Sequence, residues 1–161
     1  MTVTTIRLAR PHDLMALKEL DSVAAHDAHR VKQLQRWIEH GTCHLLEIDG
    51  VATGYAVLHH HFFECGFIEM LMVGERFRRQ GVGRTLIDHL AEVCVSAKLF
   101  SSTNASNDTM RGLFISSGFT ESGRIDNLDP GDPEILFFRA LNRGADDTTP
   151  QRRPSGDHGV A

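Results

Sequence analysis

Apolar positions recur along this chain with two different periods, and the switches between them mark out its elements. Val3 to Leu8 alternates β-branched and polar residues, the two-residue period of a strand. Pro11 suits the first turn of a helix, Asp13 sits near that helix's positive end, and Leu14, Leu17 and Leu20 give it an apolar face. A second helix is expected from Asp27 to His40 on Val31, Leu34 and Ile38, with Gly41 as its stop. The period then returns to two. His44 to Ile48 reads as a strand, Asp49-Gly50 as a tight hairpin turn, Val51 to His61 as the returning strand and Phe67 to Val73 as a further one. Leu86, Leu90, Val93 and Ala97 predict a helix from about Gly83 to Ala97. Leu99 to Ser102 is a short strand. Asn107 or Asp108 caps a helix carrying Met110, Leu113 and Phe114, which Gly118 ends. Phe119 to Arg124 and Glu134 to Leu141 are the last two strands.

That order (strand, two helices, three strands, helix, strand, helix, two strands) predicts an α+β fold. Its sheet is mixed, antiparallel in the first half, with a helical crossover in the middle. Residues 1–141 are expected to form one domain. Residues 142–161 are rich in Asp, Thr, Pro, Arg and Gly, with almost nothing apolar to bury, and read as a disordered tail.

Composition narrows the functional classes. Hydrophobic residues make up 41% and charged residues 24%, as in an ordinary globular enzyme, and the net charge of −4 argues against a general nucleic-acid footprint. Cys43, Cys65 and Cys94 are an odd number without paired spacing, expected as reduced thiols in a cytoplasmic protein. The first ten residues hold no apolar signal core, and no apolar run is long enough to span a bilayer.

One local feature stands against this background. The apolar run Phe67 to Val73 leads through a polar turn into Arg78-Arg79-Gln80-Gly81-Val82-Gly83-Arg84, and an apolar-periodic segment starts at Leu86. A strand that delivers an Arg- and Gly-rich loop to a helix start holds phosphates. Glycine lets the backbone approach, free N–H groups point outward, and the helix dipole favours negative charge. The Gly-x-x-x-x-Gly-Lys-Ser/Thr pattern of a P-loop is absent, which disfavours nucleotide-dependent phosphoryl transfer. A dinucleotide fingerprint fails for want of its third glycine.

Arg78-x-x-Gly81-x-Gly83 after an apolar strand resembles motif A of the GNAT superfamily, the acetyl-CoA-dependent N-acetyltransferases. Ile6-Arg7 with Asp13-Leu14 is similar to that family's opening. Asn107-x-x-Met110-x-x-Leu113-Phe114 with Gly118-Phe119 is similar to its motif B. The resemblance implies that Leu71, Met72 and Val73 splay from the neighbouring strand and present backbone groups to a pantetheine arm, one N–H near Val73 polarising the acetyl carbonyl. It implies that Arg78, Arg79, Gln80, Gly81, Val82, Gly83 and Arg84 cradle the pyrophosphate, that Asn107 contacts the pantetheine side, and that Phe114 lies against the cofactor near its sulfur. It also implies an amine acceptor, no metal, and a possible homodimer.

Transfer to an amine needs a free lone pair, and an amine with a pKa of about 10.4 is mostly protonated at neutral pH. Glu69, inside the otherwise apolar FIEMLMV, is the candidate general base, as in polyamine acetyltransferases that the chain resembles at this offset; the other reading puts it on the solvent side of its strand. Many family members carry a tyrosine where this chain has Phe114, and a phenyl ring has no proton to give a departing thiolate. Tyr55, the single tyrosine, either points into the acceptor cleft or packs in the sheet. Cys94 falls on the packed side of its helix, so no covalent acetyl-enzyme is expected. His59-His60-His61 alternates faces and cannot converge on one metal. Trp37 either walls an acceptor pocket or packs a helix. Asp126, Asp129, Asp132 and Glu134 form an acidic loop, more often solvated than amine-binding. Two functions emerge: an N-acetyltransferase acting on a small-molecule or peptide amine, or an acyl-CoA-binding regulatory module with little turnover.

Overall fold

The computed structural model describes residues 1–143, and the remainder of the expected tail lies outside the described residues. Strand β1 (Thr4–Leu8) leads into a 3-10 turn at Pro11–Asp13 and then α1 (Leu14–Leu20) and α2 (Ala28–Glu39). Strands β2 (Cys43–Ile48), β3 (Val51–Phe62) and β4 (Cys65–Val73) follow as a meander. Helix α3 (Val82–Val93), β5 (Lys98–Asn104), α4 (Asp108–Ser116), β6 (Thr120–Ile125) and β7 (Glu134–Ala140) complete the order. The described strands form one seven-stranded sheet, ordered β1-β2-β3-β4-β5-β7-β6. Every pairing is antiparallel except β4 with β5, which the α3 crossover makes parallel. The mixed, mostly antiparallel α+β fold is the one the pattern predicts.

Local chemistry fixes the ends of several elements. Asp49 and Gly50 both take positive φ, 51° and 77°, and turn β2 into β3. Asp27 caps α2 by accepting from the His29 N–H at 2.8 Å. The Asp13 carboxylate accepts from the Arg10 N–H at 2.7 Å and takes both Arg7 guanidinium nitrogens, at 2.8 and 2.9 Å. Arg7 also reaches Glu47 on β2 at 3.0 Å, so one guanidinium ties β1, β2 and the start of α1 together.

Helix α3 is shorter than its periodicity predicts. The chain turns extended at Cys94 because it must enter β5 at Lys98, and Val93, expected on the apolar face, is 41% exposed. Arg143 closes this end by donating to the carbonyls of Ala91, Glu92 and Cys94, so the first residues after β7 bind back onto the fold. Cys94 is buried, as expected.

Two cores flank the sheet. Leu86, Ile87 and Leu90 of α3 pack with Phe114, Phe119 and Phe137 against one face. Leu17 of α1 and Leu34, Trp37 and Ile38 of α2 pack with Leu45, Tyr55 and Val57 against the other. Strand β4 contributes to both cores, Ile68, Leu71 and Val73 to the α3 side and Met70 and Met72 to the α2 side, which places it at the centre of the molecule.

Candidate active site

The parallel strands β4 and β5 separate partway along their length. They pair at Gly66, Phe67 and Ile68 with Leu99, Phe100 and Ser101, but β4 continues to Val73 and β5 to Asn104 without partners in each other. The Ser101 hydroxyl closes the last paired position by donating to the Ile68 carbonyl at 2.9 Å. On its other edge β4 stays in register with β3, Val73 opposite Gly54 and Leu71 opposite Ala56. The Gly74 N–H donates to Thr53 O at 2.9 Å, which fixes the ladder's phase. In an antiparallel ladder the bonded and non-bonded pairs alternate. Met72 therefore spends its backbone on Tyr55, while Leu71 and Val73 turn theirs into the gap. The Val73 carbonyl there accepts from Arg78 Nε at 3.2 Å. Of the three residues expected to face a pantetheine, Leu71 and Val73 turn their backbone into the gap and Met72 does not.

Beyond β4, the chain makes a 3-10 turn at Glu75–Phe77 and enters the Arg-Gly loop. Arg79 and Gly81 adopt positive φ, 61° and 81°. This leads the backbone into α3 with Gly81 as N-cap, and no side chain caps the helix among the described residues. The first N–H groups of α3, from Val82 to Arg84, thus have neither an intrahelical acceptor nor a side-chain one. Around them stand the exposed Arg78, Arg79 and Arg84, Arg84 3.6 Å from Asp88. Gln80 donates to the Arg76 carbonyl at 3.1 Å and braces the turn. The two glycines differ in role. A Cβ on Gly81 meets nothing within 4 Å, whereas one on Gly83 falls 3.0 Å from Leu113 Cδ2. Gly81 is needed for its backbone angle, and Gly83 for the close seat of α3 against α4. The loop has the charge, donors and open space of an oxyanion cradle.

Glu69 owes its position to a β-bulge. Val57 pairs with Met70 and Leu58 with Ile68, which leaves Glu69 without a partner on β3. Strict alternation would put Glu69 with Leu71 and Val73 on the α3 face. The extra residue instead turns it to the α2 side, where it lines a cavity of about 310 Å³ with Arg36, Trp37, His40, Thr42, His59 and His61. Its side chain is exposed there, not buried. Burial holds the His59 imidazole below its ordinary value, and the Glu69 charge opposes that shift. Trp37 packs α2 against Tyr55 at 6.3 Å between ring centres and also lines this cavity.

Other expected residues sit elsewhere. Phe114 is 1% exposed and packs on Phe119 and Phe137, with ring centres at 5.3 and 5.0 Å; it is a core residue and does not present an open surface for a cofactor. Asn107 caps α4 by accepting from the Met110 N–H at 3.2 Å. Tyr55 is wholly buried, and its hydroxyl donates to Asp21 at 2.6 Å. Burial pushes that phenol's pKa far up, with Asp21 adding to the shift, so it is no proton donor for the cleft. Asp21 also pairs with Arg30 at 3.1 Å and accepts from the Val23 and Ala24 N–H groups. This buried knot anchors the connection between α1 and α2, and no short motif announces it. The acidic loop is structural. Asp132 accepts from the Ser106 N–H and hydroxyl at 3.0 and 2.6 Å, Asp129 from Asn104 at 2.8 Å, and Asp126 pairs with Arg124 at 2.9 Å. His59 and His61 line the cavity, while His60 turns away to accept from the Val95 N–H at 3.2 Å. Among the described residues, no group of three or more His, Cys, Asp or Glu is placed to hold a metal ion, and no helix is long and apolar enough to cross a membrane.

The arrangement has counterparts in known proteins. The family model for the acetyltransferase (GNAT) family matches residues 12–119. A GNAT-family acetyltransferase of Bacillus cereus is 30% identical, with a TM-score of 0.81 over 88% of this chain and 99% of that one. The ribosomal-protein-S18-alanine N-acetyltransferase of Escherichia coli is 21% identical, with a TM-score of 0.74 over 90% of this chain and 98% of its own. The Salmonella typhimurium protein YncA, solved with its cofactor acetyl-CoA, is 22% identical, with a TM-score of 0.67 over 88% and 96% of the two chains. No curated protein sequence matches the chain. A split parallel strand pair, an uncapped Arg-Gly helix start and a family match spanning both place this chain in the GNAT acetyltransferase family.

Proposed function

We propose that this protein transfers the acetyl group of acetyl-CoA directly to a primary amine. The observation that carries the reading is the alignment of the gap with the cradle. Backbone groups of Leu71 and Val73 facing away from β3 lie on the same strand that delivers Arg78 to Arg84 to the start of α3. A diphosphate satisfies the N–H groups of Val82, Gly83 and Arg84, with the guanidinium groups neutralising its charge. A pantetheine arm is long and amide-bearing, and it completes the strand edge that β5 leaves open. The Val73 N–H in the gap supplies a donor for a carbonyl oxygen that gains negative charge when an amine attacks.

In that reaction the amine nitrogen bonds to the carbonyl carbon and the carbon–sulfur bond breaks. Glu69 accepts the amine's proton, directly or through a water it positions. Neither Phe114 nor the buried Tyr55 offers a proton to the sulfur, so the thiolate takes one from water. A thiolate with a conjugate-acid pKa near 8.5 leaves without an enzymic acid. The YncA structure holding acetyl-CoA supports the choice of donor.

Gly81→Asp tests the cradle. Aspartate tolerates positive φ, so the turn survives, but a carboxylate now faces the diphosphate. Calorimetric titration is expected to show acetyl-CoA affinity falling by more than about tenfold, the effect of losing one charge-assisted contact. Unchanged affinity in a folded variant removes the loop from cofactor binding. Glu69→Gln is expected to lower kcat and alter the pH–rate curve without changing acetyl-CoA affinity. Tight acetyl-CoA binding with no thiol release across polyamines, amino acids, arylalkylamines and peptides assigns the protein as a binding module instead.

A further inference from the structure

An aromatic row crosses the sheet beside the gap. His59, Phe67, Phe100 and Phe138 are register partners on β3, β4, β5 and β7, so all four side chains share one face. His59 stacks on Phe67 at 5.5 Å between ring centres, and Phe100 lies 5.1 Å from Phe138. Phe62 joins the halves at 4.8 Å from Phe67 and 5.2 Å from Phe100. None of these rings belongs to either buried core, and each is partly exposed. A contiguous aromatic sheet face left open to water marks a binding surface. Its place identifies the site it serves. Phe67 and Phe100 immediately precede Ile68 and Ser101, the last paired residues of β4 and β5, so the row forms the closed lip of the gap. The bulge turns Glu69 to this same face, next to His59.

We propose that the acceptor is an arylalkylamine, a primary amine on a flat aromatic body, whose ring lies on Phe67, Phe100 and Phe138 while its nitrogen reaches the gap beside Glu69. The inference rests on the acetyl-transfer reading above. Charge complementarity selects the occupant. Among the described residues, Glu69 is the only carboxylate lining its cavity, with Arg36 the only permanent cation there, so the site has room for one ammonium, held by the carboxylate and the neighbouring ring faces. Arg36 stands in the same cavity and repels a second ammonium, which disfavours polyamines. The row of rings offers area to a rigid aromatic and little to a short polar amine.

The test measures acetyl-CoA-dependent thiol release with 2-phenylethylamine and tryptamine against ethanolamine and spermidine. The aryl amines are expected to exceed ethanolamine in kcat/KM by at least about tenfold, the effect of burying a ring. Phe138→Leu keeps apolar volume but removes the ring, and Phe100→Ala removes more. Both are expected to raise KM for 2-phenylethylamine severalfold and shrink its preference over ethanolamine, with acetyl-CoA affinity unchanged. Equal kcat/KM for aryl and ringless amines overturns the acceptor class and leaves the transferase reading standing. Acetyl-CoA binding without turnover of any amine overturns the transferase reading itself. Light scattering covers the other occupant. A wild-type dimer that Phe138→Leu converts to monomer makes the row a subunit interface and overturns the proposal.

Discussion

Glu69 and His44 are both polar residues on strands, and their neighbours give them different work. Glu69 stands on a bulge and is exposed on the α2 side of the sheet. His44 on β2 meets His89 of α3, with Nδ1 3.1 Å from Nε2, in a half-buried site. Burial, with the neighbouring imidazole adding, holds the His44 pKa down to about 4. Between that value and the ordinary 6.5, the unfolded chain binds a proton that the native state refuses. Stability therefore falls as pH drops through this window and levels off below it. Asp13, lowered to about 2 by its Arg7 hydrogen bonds, acts only at still lower pH, where stability is lost as the carboxylate protonates. His59, His60 and His89 are also held low, so His44 carries part of the effect. Urea midpoints at pH 7.5 and 5.0 are expected to differ less for His44→Gln than for the wild type. An equal drop in both removes His44 from the acid response.

At the scale of elements, the closeness of α3 to β4 decides both the cradle and the fold's tolerance of change. A Cβ on Gly66 falls 2.4 Å from Cys94 Sγ and 3.2 Å from Leu99 Cδ1, where α3 ends and β5 begins. Gly66→Ala is expected to cost about 1–3 kcal/mol by overpacking, read as a lower Tm. Gly112 is the control. It lies in α4 with nothing within 4 Å of its would-be Cβ, and Gly112→Ala is expected to stabilise by about 0.5–1 kcal/mol. If both glycines respond alike, the seat of α3 on β4 is not as tight as described. The element types were legible from periodicity, and so was a cap at Asn107 or Asp108, of which the structure uses Asn107. The end of α3 was not, because Val93 and Ala97 continue the apolar pattern; the demand that the chain enter β5, and the Arg143 cap, come from distant sequence.

At the scale of the molecule, the parting of β4 from β5 leaves one strand edge for a ligand to complete. A ligand that binds only the folded state raises its stability by mass action, about 2.7 kcal/mol at a hundredfold excess over Kd. Acetyl-CoA is expected to shift the denaturation midpoint upward with the logarithm of its concentration, and Gly81→Asp is expected to need much more of it. A wild-type midpoint indifferent to acetyl-CoA removes the cofactor assignment.

What the sequence settled by itself were the features carried by neighbours along the chain. The element order, the two-residue turn at Asp49-Gly50, and an Arg-Gly loop feeding a helix start all follow from local spacing and backbone preference. The tertiary structure decided what depends on register and distant partners. An unpaired Glu69 turns to the α2 side because two strands disagree by one residue, which no single strand's pattern reveals. Tyr55 is closed off by Asp21 and Arg30 from across two elements, and Phe114 by the rings of Phe119 and Phe137. The aromatic row exists only once four separate strands lie side by side. Periodicity records which side of an element is apolar; it does not record whether anything comes to cover it.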